Sequence, residues 1–221
     1  MKTTTLLILN FLVSFSIIAQ DHSFDTTLVI RNSTFTVAVR EFNEGVTLSV
    51  VRDSVHIIRD TLRPGLADIQ FPDFDSDGNP DIELSFMGNN SEYNLNLFDI
   101  KSNTFKFVKD FENFPEAIQL KTNANFYYSY QRAGCADMDW VSDLFYIHNF
   151  SVVKIGHIYG RGCDSETRKP LRAIEIYKVL NNKGNDLQLI EKFPYLKNVP
   201  KFGDKWDFIE KYWNKNYQSF K

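Results

Sequence analysis

Several reactive signatures are missing from this 221-residue chain. It has no His-Glu-x-x-His, no Gly-x-Ser-x-Gly, no Cys-x-x-Cys and no phosphate-cradling glycine loop, so the usual short signs of metallopeptidase, serine-hydrolase, thiol-redox or nucleotide chemistry are absent. Charge of one sign is lacking too. Its 25 basic and 28 acidic residues leave a net charge of −3, which argues against a strongly electrostatic nucleic-acid binder. Only one long apolar run exists, which excludes a multi-span membrane protein. Methionine is scarce at 3 and cysteine at 2, whereas Phe reaches 20, Tyr 10 and Trp 3. A chain so rich in aromatics can bury enough surface to fold, so disorder is excluded. The same residues favour strands.

The apolar run is N-terminal. Met1-Lys2 precedes Leu6 to Ile18, followed by Ala19 and the polar Gln20-Asp21. About 13 residues cannot span a bilayer, which needs ~20. A basic start, a short apolar middle and a small residue before a polar stretch read as a signal peptide over 1–19. The competing reading is a buried strand or helix. A single domain over 20–221, secreted or periplasmic and without a stable membrane span, is expected to remain after cleavage.

Short alternating segments fill most of the rest. Phe35, Val37 and Val39 alternate with polar or small residues, as do Val46, Leu48 and Val50, then Ile82, Leu84 and Phe86, then Tyr93, Leu95 and Leu97. Strand-like runs recur every 8 to 12 residues with turns too short for crossover helices. The expected fold is all-β, an antiparallel meander of short strands, propeller-like or a sandwich. A weak seam is expected near Leu62 to Ala67. Only the tail reads as helical, with Asp204 as a cap and Trp206, Ile209 and Trp213 forming a lid on the sheet.

The two cysteines are an even count, as expected of an oxidising compartment. Val141 to Ile147 and Val152 to Tyr159 both alternate around His148-Asn149-Phe150. Folding about Asn149 pairs residues whose numbers sum to 298, and Cys135 with Cys163 meets that condition. A disulfide at the open end of this hairpin is expected. The alternative is a free catalytic Cys135 served by His157.

The strongest motif is Asp73-Phe74-Asp75-Ser76-Asp77-Gly78-Asn79-Pro80-Asp81. Carboxylates at positions 1, 3, 5 and 9 would repel one another without a cation. Hard oxygen ligands around a Gly-permitted reversal suit calcium. The expected ligands are Asp73, Asp75, Asp77, the carbonyl of Asn79, and Asp81. Position 12 is Leu84 rather than Glu, and strand-like sequence follows, so this is read as a calcium loop between strands. The alternative is an unmetallated Asp-Gly turn.

This loop resembles the calcium loop of bacterial exported FG-GAP-like β proteins. Within that group the chain looks most like the family related to periplasmic inhibitors of invertebrate-type lysozyme. The likeness covers about Ile69 to Ile158. It includes the acidic loop, the strand Asn94 to Asp99, the Phe105 strand, Phe114-Pro115, and Tyr128 to Gly134 leading into a hairpin. It implies a propeller-like antiparallel fold, a structural calcium ion and, in some members, block of a peptidoglycan hydrolase by an exposed loop. Gly134 and Trp140 stand roughly where that family has a Gly and a following aromatic residue.

Catalytic groups are harder to find. Of His22, His56, His148 and His157, none belongs to a ligand pattern. Asp137, Asp139 and Asp143 admit a second metal site, an acid/base pair or, as expected here, a solvated loop. The expected recognition surface comprises Arg132, Gly134, Asp137, Asp139, Trp140 and Arg161, with Asp164 beside it, because a cross-link holds a loop in shape and Arg and Trp favour binding hot spots. The competing reading is a bridge that merely secures a hairpin end. The expected function is a non-enzymatic, calcium-stabilised binding module, with a peptidoglycan hydrolase or other envelope protein as partner. The alternatives are an extracellular carboxylate-dependent hydrolase of cell-wall glycans and an envelope structural or adhesion domain.

Overall fold

The computed structural model describes residues 23–42, 44–163, 172–181 and 184–221. The expected signal peptide, His22 and Asp164 lie outside them. Within them the chain is mostly antiparallel β, arranged as three sheets followed by a short C-terminal helix, with no closed barrel. The all-β meander expected from the alternating segments is therefore present.

The first sheet is β1 (Ser23–Ile30), β2 (Ser33–Phe42), β3 (Gly45–Arg52) and β4 (Val55–Leu62), side by side in chain order. The second repeats this plan with β5 (Leu66–Gln70), β6 (Ile82–Phe86), β7 (Glu92–Asp99) and β8 (Thr104–Phe107). The expected seam near Leu62 to Ala67 is where the chain passes from one sheet to the next. The third sheet contains β9 (Ile118–Leu120), β10 (Asn123–Tyr128), β11 (Gln131–Gly134), β12 (Asp139–His148), β13 (Ser151–Arg161), β14 (Ala173–Val179) and β15 (Leu187–Pro194). Its order is β15-β14-β13-β12-β10-β9, with β11 also paired to β12. Two-residue turns at Arg31-Asn32, Asp53-Ser54 and Asn149-Phe150 place both residues at positive φ, the turn geometry whose twist matches the flanking strands.

The sheets stack through two shared cores. Phe35, Val37 and Val39 of β2 pack with Ile82, Leu84 and Phe86 of β6. Leu95 and Leu97 of β7 turn the other way and pack with Tyr127 and Phe145 of the third sheet. Phe98 returns to the first core, where its ring meets Phe35 edge-on at 5.6 Å. The second sheet is thus a middle layer, and β7 is buried on both faces. Each large apolar side chain so enclosed contributes about 1.5–3 kcal/mol relative to exposure.

The chain leaves the last sheet through a single helical turn, α1 (Tyr195–Asn198), and the third core lies between that sheet and α2 (Asp204–Asn216), where Trp140, Leu144, Ile158, Ile174 and Ile176 meet Ile209 and Trp213. Both buried indoles keep a hydrogen-bond partner. Trp140 donates to the Tyr195 hydroxyl at 3.0 Å, and Trp213 donates to Ser142 Oγ at 2.9 Å. The expected helical lid is present, with two changes. Trp206 remains 41% exposed. Asp204 makes no side-chain cap; its carboxylate accepts the Lys201 N–H at 3.0 Å, closing the turn before the helix.

Candidate functional site

The acidic loop connects β5 to β6. Asp81 is its buried anchor, with 0% exposure. Its two carboxylate oxygens accept the N–H of Phe74 at 2.8 Å and of Phe98 at 2.7 Å, and its own N–H donates to the Pro72 carbonyl at 2.7 Å. One carboxylate therefore pins the loop's start to its end and to the neighbouring strand β7. Gly78 has φ +87, a left-handed conformation that glycine adopts without a steric penalty. This reversal lets its N–H donate to Asp73 at 3.0 Å.

Oxygens of Asp73, Asp75 and Asp81 come within 4.8 Å of one another. Two other expected ligands are engaged differently. Asp77 Oδ1 accepts both the backbone and the side-chain N–H of Asn79, each at 2.8 Å. That bond turns Asp77 toward Asn79, and Asn79 is held as a buried turn residue. Burial pushes the Asp81 carboxyl up to about 7 despite its two N–H donors, with Asp75 and Asp77 adding to the rise. Burial likewise raises Asp75, reinforced by Asp77 and Asp73. Converging carboxylates whose charge is disfavoured both by burial and by one another are a donor set that fits a hard divalent cation.

The second candidate is the segment after β11. Cys135 and Cys163 are bridged, with Cα atoms 6.1 Å apart. The expected pairing is present, but the expected register is not. Partners in β12–β13 sum to 299 beside the Asn149-Phe150 turn and to 300 beyond a bulge at Ile155. The cysteines lie past the paired strands. Cys135, Ala136 and Asp137 form a left-handed turn with φ of 52°, 50° and 67°, which carries the chain back toward Cys163.

Three further attachments hold this turn. The Tyr130 hydroxyl donates to Asp137 Oδ1. Lys205, fully buried at the start of α2, donates to the Asp137 carbonyl at 2.8 Å and pairs with Asp137 Oδ2 at 2.9 Å. Its ammonium lies 3.8 Å from the Phe202 ring centre and 4.5 Å from that of Trp206. Burial lowers the Lys205 pKa, and Asp137 opposes the shift. On the other side, Asn90 bonds both the N–H and the carbonyl of Arg132, at 3.1 and 3.3 Å. The Arg132 side chain remains 64% exposed. It borders a polar cavity of about 620 Å³ with Asn90, Gly134, Asp137 and Phe202.

The other expected surface residues sit elsewhere. Trp140 is fully enclosed beneath α2, and Asp139 is buried, accepting the N–H of Gly162 at 3.0 Å and of Cys163 at 3.1 Å. They serve the core and the base of the stapled turn rather than a contact surface. Arg161 is half-buried and pairs with Glu175 at 3.0 Å. Nor do the three aspartates form a solvated loop. Asp143 is buried and binds Lys154 at 2.7 Å and His157 at 2.6 Å. Its carboxyl is held below the usual range because those partners outweigh burial. Lys205 and Asn90 were not legible as site residues. They are 68 and 42 positions from the residues they bind, and no local pattern marks such a pair.

No family model matches this chain, and no curated protein matches it. Among solved structures, a match is a Xanthomonas type IV secretion system related protein, at 16% identity and a TM-score of 0.46, covering 76% of this chain and 93% of that one. A likeness of that degree assigns no function. No helix among the described residues is long and apolar enough to cross a membrane.

Proposed function

We propose that the protein is a secreted or periplasmic binding module, stabilised by calcium, whose recognition surface is the stapled turn around Arg132. Its proposed partner is an envelope protein, specifically a lysozyme-like peptidoglycan hydrolase that it inhibits. The observation carrying this reading is an exposed guanidinium beside a turn secured by the disulfide, Lys205, Tyr130 and Asn90. Pre-ordering of this kind lowers the entropic cost of association. Calcium held by Asp73, Asp75 and Asp81 would tie β5, β6 and β7 together, and backbone oxygens or water would complete its shell.

The hydrolase reading is the weaker one. Asp137 is bound to Lys205 and Tyr130, Asp139 to two backbone N–H groups, and Asp143 to Lys154 and His157. Carboxylates so engaged serve the architecture and are poorly placed to exchange protons with a substrate.

The test is binding and inhibition of a panel of lysozyme-like hydrolases by the purified exported protein. A stoichiometric complex that suppresses turnover is expected with at least one of them. Arg132→Ala should weaken it about tenfold or more, the size of a hot-spot loss, without changing the melting temperature. No complex with any member of the panel, or a complex indifferent to Arg132→Ala, overturns the proposal.

A further inference from the structure

Away from the stapled turn, the second and third sheets part and leave a solvent-open cavity of about 670 Å³. The partly exposed Phe126, Tyr146 and Ile147 form its apolar base, together with the buried Leu97 and Tyr127. Asp99 and Lys106 line the side of the second sheet, and Asn125 and Asn149 line the side of the third.

The walls are fixed by the fold. The Asn149-Phe150 turn is pinned to the chain after β8, because the Lys109 N–H donates to the Phe150 carbonyl at 2.9 Å and the Val152 N–H donates to the Lys109 carbonyl at 3.1 Å. Lys106 pairs with Asp99 at 2.5 Å and lies 4.7 Å from the Phe150 ring centre. Hydrogen bonds from Lys106 and then Ser102 hold the Asp99 carboxyl down to about 2, so it remains an acceptor at physiological pH.

We propose that this cavity is an oligosaccharide-binding site, distinct from the protein-recognition surface. Rigid concave sites with an apolar base and a few convergent polar groups are typical of small-ligand recognition. A pyranose ring has an apolar C–H face and a rim of hydroxyls that both donate and accept. The base matches the face. The acceptor Asp99, the donor Lys106 and the two carboxamides, which do both, match the rim.

The site is tested by saturation-transfer NMR and calorimetry on the intact exported protein, with cellotetraose and chitotetraose as separate probes. Saturation transfer to at least one probe is expected, and the two arms distinguish a glycan with 2-hydroxyl groups from one with 2-acetamido groups. Ala124→Trp, which fills the cavity from an exposed position on β10, should abolish the signal. Asn125→Ala should weaken binding at least about threefold, the loss of a single hydrogen bond. Arg132→Ala should leave it unchanged, which separates this site from the proposed protein interface. No transfer from either probe at millimolar concentration, or binding that survives Ala124→Trp in a folded protein, overturns the proposal.

Discussion

Replacing Gly160 by valine is expected to lower the unfolding free energy by about 3 kcal/mol or more, the upper range for overpacking a filled core. For a chain of this size that corresponds to a melting temperature roughly 6–12 °C lower. Gly160 of β13 lies opposite Trp140 of β12, and the indole lies over the glycine. A Cβ at residue 160 would stand 2.1 Å from Trp140 Cε2. The indole has little room to retreat, because it is fully buried and its N–H is held by Tyr195. Gly203→Ala is the control, since no heavy atom lies within 4 Å of a Cβ there. Thermal unfolding by circular dichroism should separate the two variants clearly. Equal melting temperatures would contradict this account of the third core.

Lys205→Ala is expected to destabilise the protein by about 3–5 kcal/mol, the usual cost of removing one partner from a buried ion pair. It removes the buried cation from Asp137, leaving that carboxylate the Tyr130 hydroxyl and the exposed Arg132, whose Nε is 3.9 Å away. The damage should be local at first, with faster amide exchange around Ala136 to Met138 than in β13. Because most of the cost is an uncompensated carboxylate, the double variant Asp137→Asn with Lys205→Ala should be more stable than Lys205→Ala alone. A double variant that is no better would show that packing of the lysine stem, rather than charge, dominates.

Much of the fold was legible because its cores obey the strand period. Phe35, Val37 and Val39, and likewise Ile82, Leu84 and Phe86, alternate in the sequence and all point into one core. Two-sided burial of β7 was not legible, since only stacking of the sheets decides which strand lies in the middle. Trp140 reads as a surface anchor when viewed beside Cys135 and Asp139. It is a core residue because β13 supplies a glycine opposite it. The disulfide pairing was legible, but by a register that a bulge at Ile155 and a left-handed turn replace. At the acidic loop the spacing marked the motif, but only the folded loop decides which carboxylates converge: Asp73, Asp75 and Asp81 do, while Asp77 bonds Asn79.

The most direct test of the central claim is a calcium titration of EDTA-treated protein by calorimetry, followed by thermal unfolding with and without the ion. One ion per chain is expected at the acidic loop, with stabilisation of about 2.7 kcal/mol when calcium is at 100 times its Kd. Asp75→Ala should lose both the heat and the shift. No binding heat, with identical unfolding in EDTA and in calcium, would contradict the account.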